Sequence, residues 1–299
     1  MNTQKLKGNL MMLITALIWG TAFVAQSNAM DSVDPFSFMS ARYLLGAVVL
    51  LPVIALFSKK DPKEDKKVLW LGGICCGIAL FIASALQQWG ISYTTTAKAG
   101  FITTLYVIFV PVAGLFFKRK PGWIIWVGVA LSTVGFYLLC MTDGFTLQIG
   151  DLLILLCAVA FTVHIMVIDH FSPKVDGIKM SCIQFLVCGI LSVLASRISG
   201  PCELTALAAA WVPILYTGIL SSGVAYTLQI LAQKFTDAVM VSLIGSLEAV
   251  FATLAGFVFW KLGYIDNGQI TLRQLAGCAL VFCAVILVQL PTPKRKRNQ

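Results

Sequence analysis

Few residues of this chain can do chemistry, and most of those lie inside long apolar runs. Glu248 is the plainest case, standing near the midpoint of 238-AVMVSLIGSLEAVFATLAGFVFW-260 as its only charge. A carboxylate at bilayer depth is costly unless it is protonated, paired or wetted. A chain that keeps Glu248 must therefore supply a cavity, a proton or a partner for it. Sliding the sequence against itself by 142 residues sets this run on 96-TAKAGFITTLYVIFVPVAGLFF-117. Tyr106 then falls on Glu248, Thr104 on Ser246, and Gln87 on Gln229. Amides and hydroxyls related in this way would meet near a pseudo-two-fold axis and could hydrogen-bond a polar solute. Their competing role is interhelical bonding, worth only about 0.6–2 kcal/mol per bond.

The other candidates follow from residue type and depth. Trp19 sits in the middle of its run, away from the interface where tryptophan collects. With Tyr106 and Tyr226 it would wall a cavity. Gln87, Gln184, Gln229, Thr103 and Ser246 would be polar contacts, and Glu248 would bind a substrate ammonium or organise the cavity. His164 is the only histidine in a run, and it could share a coupled proton with Glu248 or serve as a buried hydrogen-bonding group. Arg42 lies about two turns in from the end of its run. It could snorkel outward, pair with Asp31 or Asp34, or contact an anionic substrate as a gate. Of nine cysteines, all but Cys202 lie in apolar runs and read as small core residues. There is no HExxH, no paired carboxylates and no Walker loop, so neither metal nor cofactor is expected, and an enzyme or an ATP-driven pump is disfavoured.

These residues are positioned by membrane spans. The chain of 299 residues is 59% hydrophobic but only 12% charged, where globular proteins carry about 25% charged residues. Ten apolar runs are long enough to cross a bilayer: about 8–27, 36–57, 68–88, 97–117, 122–141, 150–168, 177–197, 211–231, 237–260 and 272–290. With the N-terminus inside, 17 Lys and Arg fall on the cytoplasmic side and 4 outside. That split places both termini in the cytoplasm and makes nucleic acid an unneeded explanation of the net charge of +9. The repeat divides the chain into residues 1–145 and 146–292, followed by a basic tail, 293–299. Beyond an insertion around 262-LGYIDNGQ-269 the offset grows, and Gly128 matches Gly277. Five spans per copy is odd, so the copies enter the membrane from opposite sides. The expected fold is an all-α integral membrane protein of ten transmembrane helices in an inverted 5+5 repeat. Pro111 should kink the fourth span, while its counterpart Thr253 should not.

Four stretches, 16-ALIWGTAFV-24, 36-FSFMSARYLLGAVVLLP-52, 94-TTTAKAGFITTLYVIFVPV-112 and 246-SLEAVFATLAGFVF-259, together resemble the drug/metabolite transporter superfamily, EamA type. The resemblance runs through nearly the whole chain, and the motifs occur in order and in both repeats. One departure is Ala249, where the family often has proline directly after the ninth-span Glu. The resemblance implies a central substrate cavity and a secondary transporter of the bacterial inner membrane. Its cargo would be a small polar metabolite, an amino acid or related compound, moved outward by alternating access. An uptake carrier for a metabolite or vitamin is the alternative, ahead of a passive channel or a membrane enzyme. The implied partners are that small molecule and the lipid bilayer, with monomer and homodimer both open.

Overall fold

A computed structural model describes residues 3–30, 32–58, 64–94, 96–119, 121–140, 148–199, 204–263 and 269–290. The basic tail, Asp31, Cys202 and most of the insertion near 262–269 lie outside them. Fourteen α-helices make up the described chain: α1 Thr3–Met30, α2 Pro35–Phe57, α3 Lys66–Ile91, α4 Thr96–Thr103, α5 Tyr106–Phe116, α6 Trp123–Cys140 and α7 Ile149–Phe171. They continue with α8 Gly177–Ser199, α9 Leu204–Ala209, α10 Trp211–Leu215, α11 Thr227–Ala232, α12 Ala238–Gly245, α13 Glu248–Lys261 and α14 Leu272–Gln289. A π-helical stretch, Tyr216–Tyr226, joins α10 to α11. No strand occurs among the described residues.

All ten expected spans are present. Nine are long and apolar enough to cross a membrane, and α6 carries a shorter apolar segment, Trp123–Leu139. The helices start where short polar side chains can take orphan N–H groups. Asp34 accepts from the Ser37 amide ahead of α2, Asp65 from Lys67 and Val68 ahead of α3, and Asp237 from Met240 ahead of α12. Capping boxes open α7 (Gln148 and Asp151) and α14 (Thr271 and Gln274). Large apolar side chains face outward, as lipid contact requires. Trp123 is 73% exposed and Trp211 60%, in keeping with an interfacial belt.

Several contacts between the halves come in pairs that exchange under the 142-residue offset. Thr236 donates to Asn9 at 3.2 Å; their counterparts Thr94 and Asp151 are also hydrogen-bonded. Asn9 begins the first span and Asp151 the sixth, so the two bonds lie at opposite ends of the bundle. The long crossings obey the same rule: α2 packs on α8, α6 on α14, α3 on α7, and α1 on the π stretch and α11. Where α6 meets α14, glycine lets backbones touch. A Cβ on Gly135 would lie 2.9 Å from the Gly277 carbonyl, and one on Gly128 3.5 Å from that of Ala284. Those two contacts exchange under the larger offset that matches Gly128 to Gly277. Asn9 also donates to Gln289 at 3.4 Å, which sets both ends of the described chain at the same face.

Two spans are interrupted, and at equivalent places. The fourth breaks between α4 and α5 at Thr104–Leu105, and the ninth between α12 and α13 at Ser246–Leu247. At each break the hydroxyl turns back on a carbonyl three residues earlier: Thr104 to Phe101 and Ser246 to Leu243, both at 2.7 Å. The backbone tightens identically, Leu105 N–H to Ile102 at 3.2 Å and Leu247 N–H to Ile244 at 3.1 Å. The interruption is shared by the half that has no proline at the matching position, so it does not depend on Pro111. Pro111 lies within α5, and a back-bonded hydroxyl residue stands at the interruption in both halves.

Candidate functional site

The two breaks bring Tyr106 and Glu248 to the first positions of α5 and α13. There the Tyr106 hydroxyl donates to Glu248 Oε1 at 3.1 Å. A residue thus meets its own repeat equivalent across the axis. Both are buried, at 4% and 5% exposure. Glycine makes the approach possible. A Cβ on Gly20 would stand 2.6 Å from the Glu248 carbonyl, and one on Gly245 3.2 Å from the Tyr106 hydroxyl.

Around this contact lies a cavity of about 40 Å³. At about 10–15 Å³ for one water, it holds a few waters and no metabolite without some opening of the helices. Its walls include Trp19, Gln87, Thr103, Tyr106, Tyr226, Gln229 and Glu248, together with Arg42 and His164. Five pairs of wall residues are repeat equivalents: Trp19 and Phe161, Phe23 and Ile165, Gln87 and Gln229, Thr103 and Gly245, Tyr106 and Glu248. The positions are symmetric while the chemistry is not, since the acid occurs in one copy only.

The aromatic wall centres on Tyr226, whose ring lies 4.7 Å from that of Trp19, 5.9 Å from His164 and 6.4 Å from Tyr43. Tyr226 closes the π stretch. That wider helical turn is built from small residues, Gly218, Ser221, Ser222 and Gly223, against which α2 packs closely. A Cβ on Gly46 would lie 2.9 Å from that of Ser222. Thr15 of α1 donates to the Ala225 carbonyl at 3.1 Å and so occupies a backbone acceptor of the stretch. Short π segments recur at functional sites.

Arg42 does not snorkel: it is 2% exposed. It donates to Gln26 Oε1 at 2.6 Å and to the Tyr43 hydroxyl at 2.5 Å, and its guanidinium lies 4.5 Å from the Tyr43 ring centre. Gln88 donates to the same Gln26 oxygen at 2.8 Å, and Tyr43 shares a hydrogen bond with Ser84 at 2.6 Å. Neutral neighbours hold the cation inward, away from water. Asp34 is engaged at the start of α2, its carboxylate taking the Ser37 amide at 2.8 Å. On the opposite wall Gln87 approaches Thr103 at 3.5 Å.

Two residues expected at the site stand behind it. Gln184 bonds His164 Nε2 at 3.1 Å and so sets the ring from outside the wall. Ser246 spends its hydroxyl on the α12–α13 break. Several wall residues carry no mark of their own in the sequence: Met12, Phe161, Ile165 and Ser221. The signal available for Phe161 and Ile165 is the offset itself, which sets them on Trp19 and Phe23.

An all-helical bundle with duplicated, oppositely inserted halves, two broken spans and a polar cavity at their meeting point defines a multi-pass membrane transporter. The comparisons with known proteins give the family. The model of the EamA-like transporter family matches residues 6–141 and again 148–290, and the chain belongs to that family. A protein of Archaeoglobus fulgidus named "Uncharacterized transporter" is 33% identical over 294 residues, 96% of this chain and 87% of its own. One of Clostridium kluyveri with the same name is 27% identical, over 83% of this chain and 84% of its own. A solved crystal structure superimposes with a TM-score of 0.76 at 19% identity, covering 94% of this chain and 96% of that one. At that identity the likeness is one of fold.

Proposed function

We propose that the protein is a secondary transporter that moves a small polar metabolite by alternating access, with residues 1–145 and 146–292 as the units that rock about the cavity. The observation that carries this is the Tyr106–Glu248 contact between repeat equivalents, on the wall of a cavity that both halves line. Two inverted copies around one polar site give two arrangements of nearly equal energy, each opening the site to one side. Broken helices at mid-depth are tolerated where they border a cavity, and here both breaks do. On the family resemblance, the cargo is an amino acid or related compound, and the direction is export across a bacterial inner membrane. The lysine and arginine split puts both termini in the cytoplasm. His164 and Glu248 are the groups on the wall suited to carrying a coupled proton.

The test is a thermal-shift screen of purified protein against amino acids, nucleosides and vitamins, followed by counterflow in proteoliposomes with each hit. A carrier gives saturable uptake accelerated by the same solute inside. Flux that neither saturates nor shows counterflow would identify a channel instead. Glu248→Gln should lower exchange strongly at unchanged expression; unaltered exchange would remove Glu248 from the mechanism.

A further inference from the structure

A second and larger space, a groove of about 350 Å³, lies on the side of α1 away from the central cavity. Val24, Ala25 and Asn28 of α1 line it, with Val212 and Pro213 of α10 and Phe259 of α13. At about 3.6 residues per turn, these α1 positions fall on the helix face opposite Trp19, Phe23 and Gln26, which line the cavity. The groove is therefore separate from the site described above. Thr21 and Tyr216 also border it, but their hydroxyls bond each other, and that of Tyr216 reaches the Ile18 carbonyl at 3.4 Å. That leaves Asn28, exposed near the end of α1, as the polar side chain it offers to a ligand. The rest of the wall is apolar.

The groove also breaks the repeat. Under the 142-residue offset Val24 and Ala25 match Met166 and Val167, and Val212 and Pro213 match Trp70 and Leu71. Each counterpart is larger, and Val167 packs against the apolar cluster that includes Leu69 of α3 and Ile168 of α7. Small side chains thus open a space at one end of the bundle where large ones stand at the other. Inverted halves alone do not call for this departure.

We propose that this groove binds one acyl chain of a phospholipid from the leaflet at the face opposite Asn9 and Gln289, with the polar ester region of that lipid at Asn28. The groove is continuous with the lipid-facing surface. Val212 is itself exposed, as are Trp211 and Leu215 beside it and Val258 on α13. From Thr21 to Asn28 it follows α1 for about 10 Å, a large part of the roughly 15 Å of hydrocarbon in one leaflet. Water would find too few hydrogen-bond partners there, and an empty groove would forfeit dispersion contacts along its lining. Its walls come from both halves, α1 from the first and α10 and α13 from the second, so a bound chain packs across their boundary. The site requires the bilayer and stands whether or not the protein is a carrier.

The experiment uses purified full-length protein in nanodiscs of phosphatidylethanolamine and phosphatidylglycerol, doped with a phospholipid that carries a diazirine midway along one acyl chain. After illumination, adducts are mapped by peptide mass spectrometry. Label should concentrate on 24–28 and 212–216, severalfold above comparably exposed positions such as Leu51, Val134 and Leu194. Ala25→Val and Val212→Trp copy Val167 and Trp70 and fill the groove with side chains that the other half already carries. Together they should lower labelling of the groove severalfold and leave the three reference positions unchanged. Either substitution alone narrows the groove and covers a failure of the pair to fold. The proposal is overturned if the groove takes no more label than the reference positions, or if the filled variants label like the unaltered protein. A second copy of the chain seated in the groove would also overturn it. In that case Val212→Cys, in a background lacking native cysteines, would cross-link between copies while the groove took no lipid label.

Discussion

At the scale of single residues, the bond between Tyr106 and Glu248 carries the most consequence. Removing the phenol hydroxyl leaves a buried carboxylate without its protein donor, and hydrogen bonds to charged groups contribute about 1.5–3 kcal/mol. Tyr106→Phe should therefore lower the thermal stability of the purified protein by about that much. In Glu248→Gln the same tyrosine change should cost clearly less, because a neutral amide is cheaper to leave unmatched. Melting curves for the four forms of the double-mutant cycle measure the coupling, and additive effects would show that the bond holds nothing. The pair is legible in the amino-acid sequence, because one offset sets Tyr106 on Glu248. Arg42 is less legible. Its depth suggests snorkelling, and only the packing of α1, α2 and α3 reveals that Gln26 and Tyr43 hold it inside. A side chain's partner on another helix depends on the rotation of both helices, which a run of apolar residues leaves undetermined.

At the scale of elements, ten apolar runs announce ten spans, but their internal character is hidden. The breaks fall not at Pro111 but at an inconspicuous hydroxyl residue, Thr104 in one half and Ser246 in the other. Nothing in 216-YTGILSSGVAY-226 distinguishes a π-helical stretch from an α-helix by periodicity. Its counterpart 74-ICCGIALFIAS-84, equally rich in small residues, remains α-helical within α3. Close packing is common to both, since a Cβ on Gly77 would lie 2.8 Å from the Gln184 carbonyl of α8, and no described contact accounts for the difference. The breaks make a sharp prediction about the hydroxyls. Ser246→Ala would strip the Leu243 carbonyl of its partner at membrane depth and cost about 1–3 kcal/mol. Ser246→Thr copies the residue at 104, which makes the same bond, and should be nearly neutral. Equal melting temperatures for the two variants would show that the hydroxyl does not maintain the break. Gly20→Ala belongs with them. Its methyl would meet backbone atoms of Glu248 and Ala252 at 2.6 and 2.8 Å, so α1 must back away from α13. Overpacking of this kind costs about 1–3 kcal/mol.

At the scale of the whole molecule, the two halves are joined differently at the two faces. On the face that carries Asn9 and Gln289, Glu64 at the entry to α3 pairs with Lys179 of α8 at 2.7 Å and accepts the Asp176 amide at 2.8 Å. Arg119, past α5, pairs with Asp169 of α7 at 2.5 Å. Within the second half Lys234 reaches the Val175 carbonyl at 2.7 Å; burial pulls its ammonium below the ordinary lysine range, and Asp176 and, from the first half, Glu64 pull it back up. Across the bundle the links named among the described residues are Thr94 with the Asp151 carboxylate, Ser37 with Ser196 at 2.8 Å, and the apolar group of Ala29, Val33, Phe38 and Ala210. Val33 and Phe38 are the counterparts of Val175 and Met180, so the apolar contacts obey the repeat while the ion pairs break it. On the carrier reading proposed above, symmetry alone would leave the two arrangements balanced, and these ion pairs would bias that balance toward closure at the terminal face. A surface pair contributes only about 0–1 kcal/mol, which shifts a two-state population by severalfold rather than fixing it. Glu64→Gln combined with Asp169→Asn should therefore open the terminal face more often while leaving the opposite face intact. Val241 lines the cavity and gives the readout: in a background lacking native cysteines, Val241→Cys is alkylated by a membrane-impermeant maleimide added to one side at a time. Labelling from the terminal side should rise severalfold in the double variant, and raised salt should produce part of the same rise without it, since exposed pairs are screened. Equal labelling from that side with and without the pairs would mean that they brace the loops and have no part in choosing which side is open.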